Sequence, residues 1–215
     1  MHSIKNNNFN MSNIFIIDWD DTLFPSTWVN QKNINLNNIE SVSLYKLYFI
    51  ELDKTIFNFL EKLHNIGEIY IITNANIKWI KMCLMILDNT RKFIINNNIR
   101  IVSARELYSK NIDIKFTEWK THTFRNVMNE ILSKVNINNI LNIISFGDAN
   151  YEYMALINLD IFFKNKYDKV NYLLKSIKFI EKPDLNYIID EINIINENLD
   201  MILNKISYID IKFSN

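Results

Sequence analysis

The sequence predicts an α/β fold in which a parallel sheet is covered by helices on both faces. Three observations carry that expectation. Short runs rich in β-branched residues, 14–17, 69–72 and 141–146, are apolar along almost their whole length, as strands buried on both faces must be. The longer stretches between them place apolar residues at helical spacing. Strands alternating with helices pair in parallel through right-handed crossovers, giving a three-layer, Rossmann-like architecture.

Taken in order, residues 1–12 are polar and Asn-rich and read as a flexible tail. Ile14-Phe15-Ile16-Ile17 is the first strand, and 22–39, with Pro25, reads as loop and turn. From Glu40 to Asn65 the stripe Leu44, Leu47, Tyr48, Leu52, Ile56, Phe59, Leu60 and Leu63 predicts one long helix. Gly67 stands where a helix end favours a left-handed residue. A second strand, Ile69–Ile72, ends at Thr73-Asn74. Helical patterns over 76–88 and 90–97 precede a short third strand, 99–102. Thr117 opens a helix with the stripe Phe124, Val127, Met128, Ile131, Leu132 and Val135. The fourth strand, 141–146, is broken by Gly147-Asp148, and a helix follows over 151–158. Ile161-Phe162-Phe163 and 176–181 read as fifth and sixth strands, and Pro183 opens a helix to about Leu203. With 215 residues and no linker-like shift in composition, a single domain is expected over 13–205, leaving 206–215 unassigned.

Composition excludes several classes of function. Two glycines, Gly67 and Gly147, cannot write a dinucleotide-binding or P-loop glycine motif. The single Cys83 excludes an internal disulfide and a Cys-rich zinc site, and His2, His64 and His122 are too scattered for a histidine metal centre. Lys+Arg and Asp+Glu balance at 24 each, so no nucleic-acid partner is expected. No apolar run is long enough to span a bilayer, the N-terminus does not read as a signal peptide, and a cytoplasmic setting without membrane association is expected.

Reactive groups in such sheets collect beyond the carboxyl ends of the strands. There the sequence places Asp18-Trp19-Asp20-Asp21 after the first strand, Thr73-Asn74 after the second, and Asp148 and Glu152 after the fourth. Crowded carboxylates repel, so a divalent cation or a raised pKa has to compensate. All-oxygen ligands favour Mg²⁺ over Zn²⁺. Asp18 and Asp20, two apart on an extended chain, face the same way, which suits one nucleophile and one proton donor. Lys120 falls in the first turn of its helix, where the macrodipole disfavours a cation by about 0.3–1 kcal/mol, so an anion beside it is expected. Lys110 and Lys115 are alternatives for that role. Trp28, Trp79 and His122 read as packing or surface residues.

The stretch IFIIDWDDTLF resembles the first motif of the haloacid dehalogenase-like superfamily, a hydrophobic strand followed by DxDx[TV]. IYIIT resembles its second motif, Lys120 its third, and IISFGDANYE its fourth, in the family's order over residues 14–160. Asp21 stands where that family often has Gly. The resemblance implies a Mg²⁺-dependent phosphatase that forms an aspartyl-phosphate on Asp18. Asp20 would act as acid and then base. Asp18, Asp148, Glu152 and the Asp20 carbonyl would hold Mg²⁺, and Thr73, Asn74 and Lys120 would bind the phosphoryl group. The gaps 23–68 and 75–119 leave no room for a separately folded cap, which implies an open site for a phosphorylated protein or small molecule. A phosphotransferase, or a non-catalytic binding protein on the same fold, are the alternatives.

Overall fold

A computed structural model describes residues 11–134, 139–167 and 169–214. Six parallel strands form one sheet in the order β3-β2-β1-β4-β5-β6. They are β1 (Met11–Ile17), β2 (Gly67–Thr73), β3 (Arg100–Ser103), β4 (Ile140–Gly147), β5 (Tyr172–Lys178) and β6 (Ile209–Lys212). The helices are α1 (Ser26–Gln31), α2 (Ile39–Ser43), α3 (Lys46–His64), α4 (Ile77–Leu84), α5 (Asp88–Asn96), α6 (Ala104–Tyr108), α7 (Trp119–Leu132), α8 (Asn150–Lys166) and α9 (Leu185–Asn204). A 3₁₀ turn, Phe116–Glu118, leads into α7.

Strand pleating divides the core in two. From β1, Phe15 and Ile17 point into a cluster with Leu52, Phe59, Ile80, Ile188 and Ile192, from α3, α4 and α9. Ile14 and Ile16 point the other way, against Phe124, Met128, Leu156 and Leu159 of α7 and α8. The three layers expected from the sequence are therefore present, and among the described residues no large cap interrupts them. The chain builds outward from β1 to β3, then returns to the other side of β1 to lay down β4. That reversal makes a crevice between the carboxyl ends of β1 and β4, where open α/β sheets bind ligands.

Several elements differ from expectation. Ile161-Phe162-Phe163 lies within α8, not in a strand, because Phe163 extends the buried helical stripe Ala155, Leu156, Leu159. A three-residue apolar run cannot separate the two periodicities. The expected strand 176–181 is displaced to β5, whose last residue is Lys178. The unassigned C-terminus supplies β6, which pairs with β5 at Lys175↔Ile209. Loop 22–39 contains α1, and the long helix from Glu40 is interrupted at Leu44-Tyr45. Leu44 and Leu47 are 81% and 79% exposed, so the stripe that packs begins at Phe49. Met11 and Ser12, read from sequence as part of a flexible tail, belong to β1, where Met11 pairs with Ile140. Residues 1–10 and Val135 lie outside the described set.

Gly67 has an extended role, not a left-handed one. A Cβ there would lie 2.5 Å from the Asn13 carbonyl oxygen and 2.8 Å from the Phe15 ring, so glycine permits the close approach of β2 to β1.

Candidate active site

β1 delivers Asp18 to the crevice. Its backbone N–H donates to the Phe146 carbonyl of β4 at 2.9 Å, carrying the pairing one residue past the strand. By alternation its side chain turns to the α7/α8 face, as Ile14 and Ile16 do, and is 6% exposed. Lys120, second residue of α7 and 1% exposed, brings its Nζ 2.7 Å from Asp18 Oδ1 and also pairs with Glu152. The sequence's unfavourably placed cation thus meets two anions. Lys110 and Lys115 are exposed and take no such place.

Asp148 follows β4, and Glu152 lies in the first turn of α8. Glu152 Oε2 accepts the Ala149 N–H at 3.1 Å, capping that helix. A Cβ on Gly147 would come within 2.7 Å of the Glu152 carboxyl, so glycine here leaves room for the acid. Asp18, Asp148 and Glu152 each offer a carboxylate oxygen, all within 4.8 Å of one another.

These charges do not balance. Three acids share one lysine, and burial disfavours the ionised form of each group. Burial raises the Asp18 pKa well above the carboxylate range; Lys120 opposes the rise, and Glu152, Asp148 and Asp20 add to it. Burial and then the Glu152 charge lift Asp148 from 3.8 to about 7. Burial also works against the Lys120 ammonium, but Asp18 and Glu152 outweigh it and keep the amine protonated. A divalent cation would relieve the excess negative charge. Octahedral Mg²⁺ holds its oxygens about 2.0–2.1 Å away, so adjacent ligand oxygens lie about 3 Å apart and opposite ones about 4 Å. The acids, within 4.8 Å of one another, would hold such an ion by drawing together, or with one of them bound through water.

Asp20 serves a different set of neighbours. Its Oδ1 accepts the Trp79 indole N–H at 2.7 Å and the Ser26 hydroxyl, and its Oδ2 receives the Thr73 hydroxyl at 3.4 Å. The Asp20 carboxylate is thus outside the Asp18–Asp148–Glu152 cluster. The expectation that Asp18 and Asp20 face one way is modified, because the chain leaves β1 between them. The Trp19 carbonyl takes the N–H groups of Leu23 (3.0 Å) and Phe24 (2.9 Å), folding 19–24 into a tight loop.

Thr73 is fully buried, its hydroxyl oxygen also accepting the Ala75 N–H at 2.9 Å. Asn74 is half-buried and its carbonyl accepts Arg105 Nε–H at 2.8 Å, while its buried side-chain oxygen has no partner among the described residues. Asp21 has φ 54°, a left-handed conformation that accounts for glycine's suitability at this position. Its carboxylate accepts the Thr27 N–H (2.8 Å) and hydroxyl (2.5 Å), anchoring α1.

Sequence reasoning missed Trp79 and Ser26. The available signal for Trp79 was Asn76, a helix cap just past the end of β2, whose side chain accepts the Trp79 N–H at 2.8 Å. A first-turn side chain leans back toward the helix N-terminus, here toward the rim.

Comparison with protein-family models, with curated proteins and with solved structures returns no match.

Proposed function

We propose that this chain is a Mg²⁺-dependent phosphohydrolase of the haloacid dehalogenase-like kind, acting on a phosphate monoester through an aspartyl-phosphate on Asp18. The observation that carries the reading is the buried cluster of Asp18, Asp148, Glu152 and Lys120 at the β1/β4 crevice. A structural ion pair alone does not require two further acids beside it, since burying unbalanced charge is costly.

Asp18, oriented by Lys120, attacks phosphorus. The bond to the ester oxygen breaks as the bond from the Asp18 carboxylate to phosphorus forms, and Asp20 gives its proton to the departing oxygen. A water then attacks the phosphorus with Asp20 taking its proton, and the Asp18–phosphorus bond breaks to free inorganic phosphate. Lys120 offsets repulsion between the attacking carboxylate and the phosphoryl oxygens. Asp18, Asp148 and Glu152 would hold the Mg²⁺, with the Asp20 carbonyl as a further ligand, and the ion would supply Lewis-acid charge neutralisation. Thr73, joined to Asp20, sets the rim on the β2 side, and Asn74 follows it at the same strand end. The described residues place no large cap over the rim, which suits a phosphorylated protein as well as a small ester.

The test is hydrolysis of an aryl phosphate by the wild type and by Asp18→Asn. Mg²⁺-dependent turnover in the first and its loss in the second are expected. Activity indifferent to the substitution contradicts the mechanism; inactivity of both across phosphopeptides and phosphorylated metabolites favours the binding-protein alternative.

A further inference from the structure

The two oxygens of Asp20 are not equivalent. Oδ1 faces two donors, the Trp79 indole N–H at 2.7 Å and the Ser26 hydroxyl, whereas among the described residues Oδ2 has only the distant Thr73 hydroxyl at 3.4 Å. An indole nitrogen donates and never accepts, so Oδ1 has to remain an acceptor whenever the Trp79 bond is intact. On a protonated Asp20 the oxygen that takes both donors is best suited as the carbonyl oxygen, which favours the proton on Oδ2.

The indole is itself held in place. Asn76 caps α4 through the Trp79 backbone N–H, and Glu106 accepts the neighbouring Ile77 N–H at 2.8 Å. The Phe24 ring meets Trp79 edge-on at 5.9 Å and 84°. A rigid donor on a capped helix is thereby fixed against a carboxylate on a loop.

We propose that Trp79 is a positioning residue for Asp20, which holds Oδ1 as an acceptor so that Oδ2 is the oxygen that delivers and recovers the proton. This inference rests on the phosphohydrolase reading. The Oδ2 proton passes to the leaving oxygen as its bond to phosphorus breaks. Oδ2 then takes a proton from the water that attacks the aspartyl-phosphate, which restores the starting state.

Leaving-group dependence separates this role from a merely structural one. An alkyl phosphate needs its leaving oxygen protonated, whereas p-nitrophenyl phosphate expels a stable anion. General acid catalysis is worth about 10²–10⁴-fold, so Trp79→Phe is expected to lower kcat/KM for the alkyl ester about tenfold or more. On the same scale the loss on p-nitrophenyl phosphate is expected to stay within about threefold. Equal losses on both esters, or none, in an active enzyme overturn the positioning role. A wild type without Asp18-dependent hydrolysis of either ester overturns the phosphohydrolase reading and the inference with it. Should Trp79→Phe not fold, the bond is read from the other side. In ¹H–¹⁵N spectra of the intact chain, Asp20→Ala is expected to move the Trp79 indole resonance while those of Trp28 and Trp119 stay in place. An unmoved Trp79 resonance overturns the proposal.

Discussion

Asp148 and Lys120 show at the residue scale how burial sets the chemistry. Asp148 binds its proton up to about pH 7 in the folded chain but releases it near 3.8 when unfolded. Between those values the native state holds more protons than the unfolded state, so metal-free stability falls as pH rises through that window. A cation reverses the preference by favouring the ionised acids. The rise in melting temperature on adding Mg²⁺ is therefore expected to be small near about pH 5 and to grow toward about pH 8. Thermal melts across that range with and without the ion measure it; a Mg²⁺ effect independent of pH would contradict the site. Lys120→Met leaves Asp18 and Glu152 facing each other without their shared cation. The expected cost in metal-free protein is about 3–5 kcal/mol in chemical denaturation, since it strands buried charge. Much of the site was legible because strand ends and a helix start can be read from pattern. Trp79 was not, because nothing local distinguishes an indole that packs from one that also donates, and Asp21's work for α1 depends on a left-handed turn that pattern does not reveal.

At the scale of elements, asparagine does what glycine usually does. With two glycines in the chain, helix ends fall to residues such as Asn33 after α1 and Asn98 after α5, with φ 54° and 51°. In each case the next residue donates back into the helix, Ile34 to Val29 and Ile99 to Ile94, both at 3.0 Å. Asn98→Ala is expected to cost about 1 kcal/mol, and Asn98→Gly to be neutral or slightly stabilising, measured by urea denaturation. An equal loss for both would show that the side chain, not the backbone conformation, matters. The frequency of asparagine throughout the sequence explains the imperfect helix boundaries read from it, since asparagine caps, ends and lines helices alike. The interruption at Leu44-Tyr45 was hidden for a related reason. Leu44 and Leu47 keep the apolar spacing of a buried stripe while facing outward, so periodicity alone joined α2 to α3.

For the molecule as a whole, strand order decides where chemistry can occur. β1 lies between β2 and β4, so Asp18, Asp20, Thr73 and Asp148 reach one edge of the sheet although they are spread over 130 positions of sequence. α7 and α8 on one face supply Lys120 and Glu152, while α1 and α4 supply the partners of Asp20. That division was not legible in the sequence, because which face a strand-end residue addresses depends on where the pleat stops. β6 was also missed: it is four residues long and only partly buried. It nevertheless covers β5, and Phe213 packs against Phe179 at 5.9 Å. Removal of 206–215 is expected to lower stability by about 2–4 kcal/mol through lost apolar burial. The distant Asp18 cluster should keep its Mg²⁺ response below the new melting temperature. Loss of that response in a chain still folded by circular dichroism would mean that the edge strand shapes the site.

The proposed mechanism requires Asp18 to become covalently phosphorylated during turnover. Rapid acid quench of a reacting mixture, followed by borohydride reduction and peptide mass spectrometry, reads this directly, because an aspartyl-phosphate is reduced to homoserine whereas a free carboxylate is not. Homoserine at position 18, dependent on substrate and Mg²⁺, is the expected result. Steady hydrolysis with Asp18 recovered only as aspartate, or with the modification on another residue, would contradict the account.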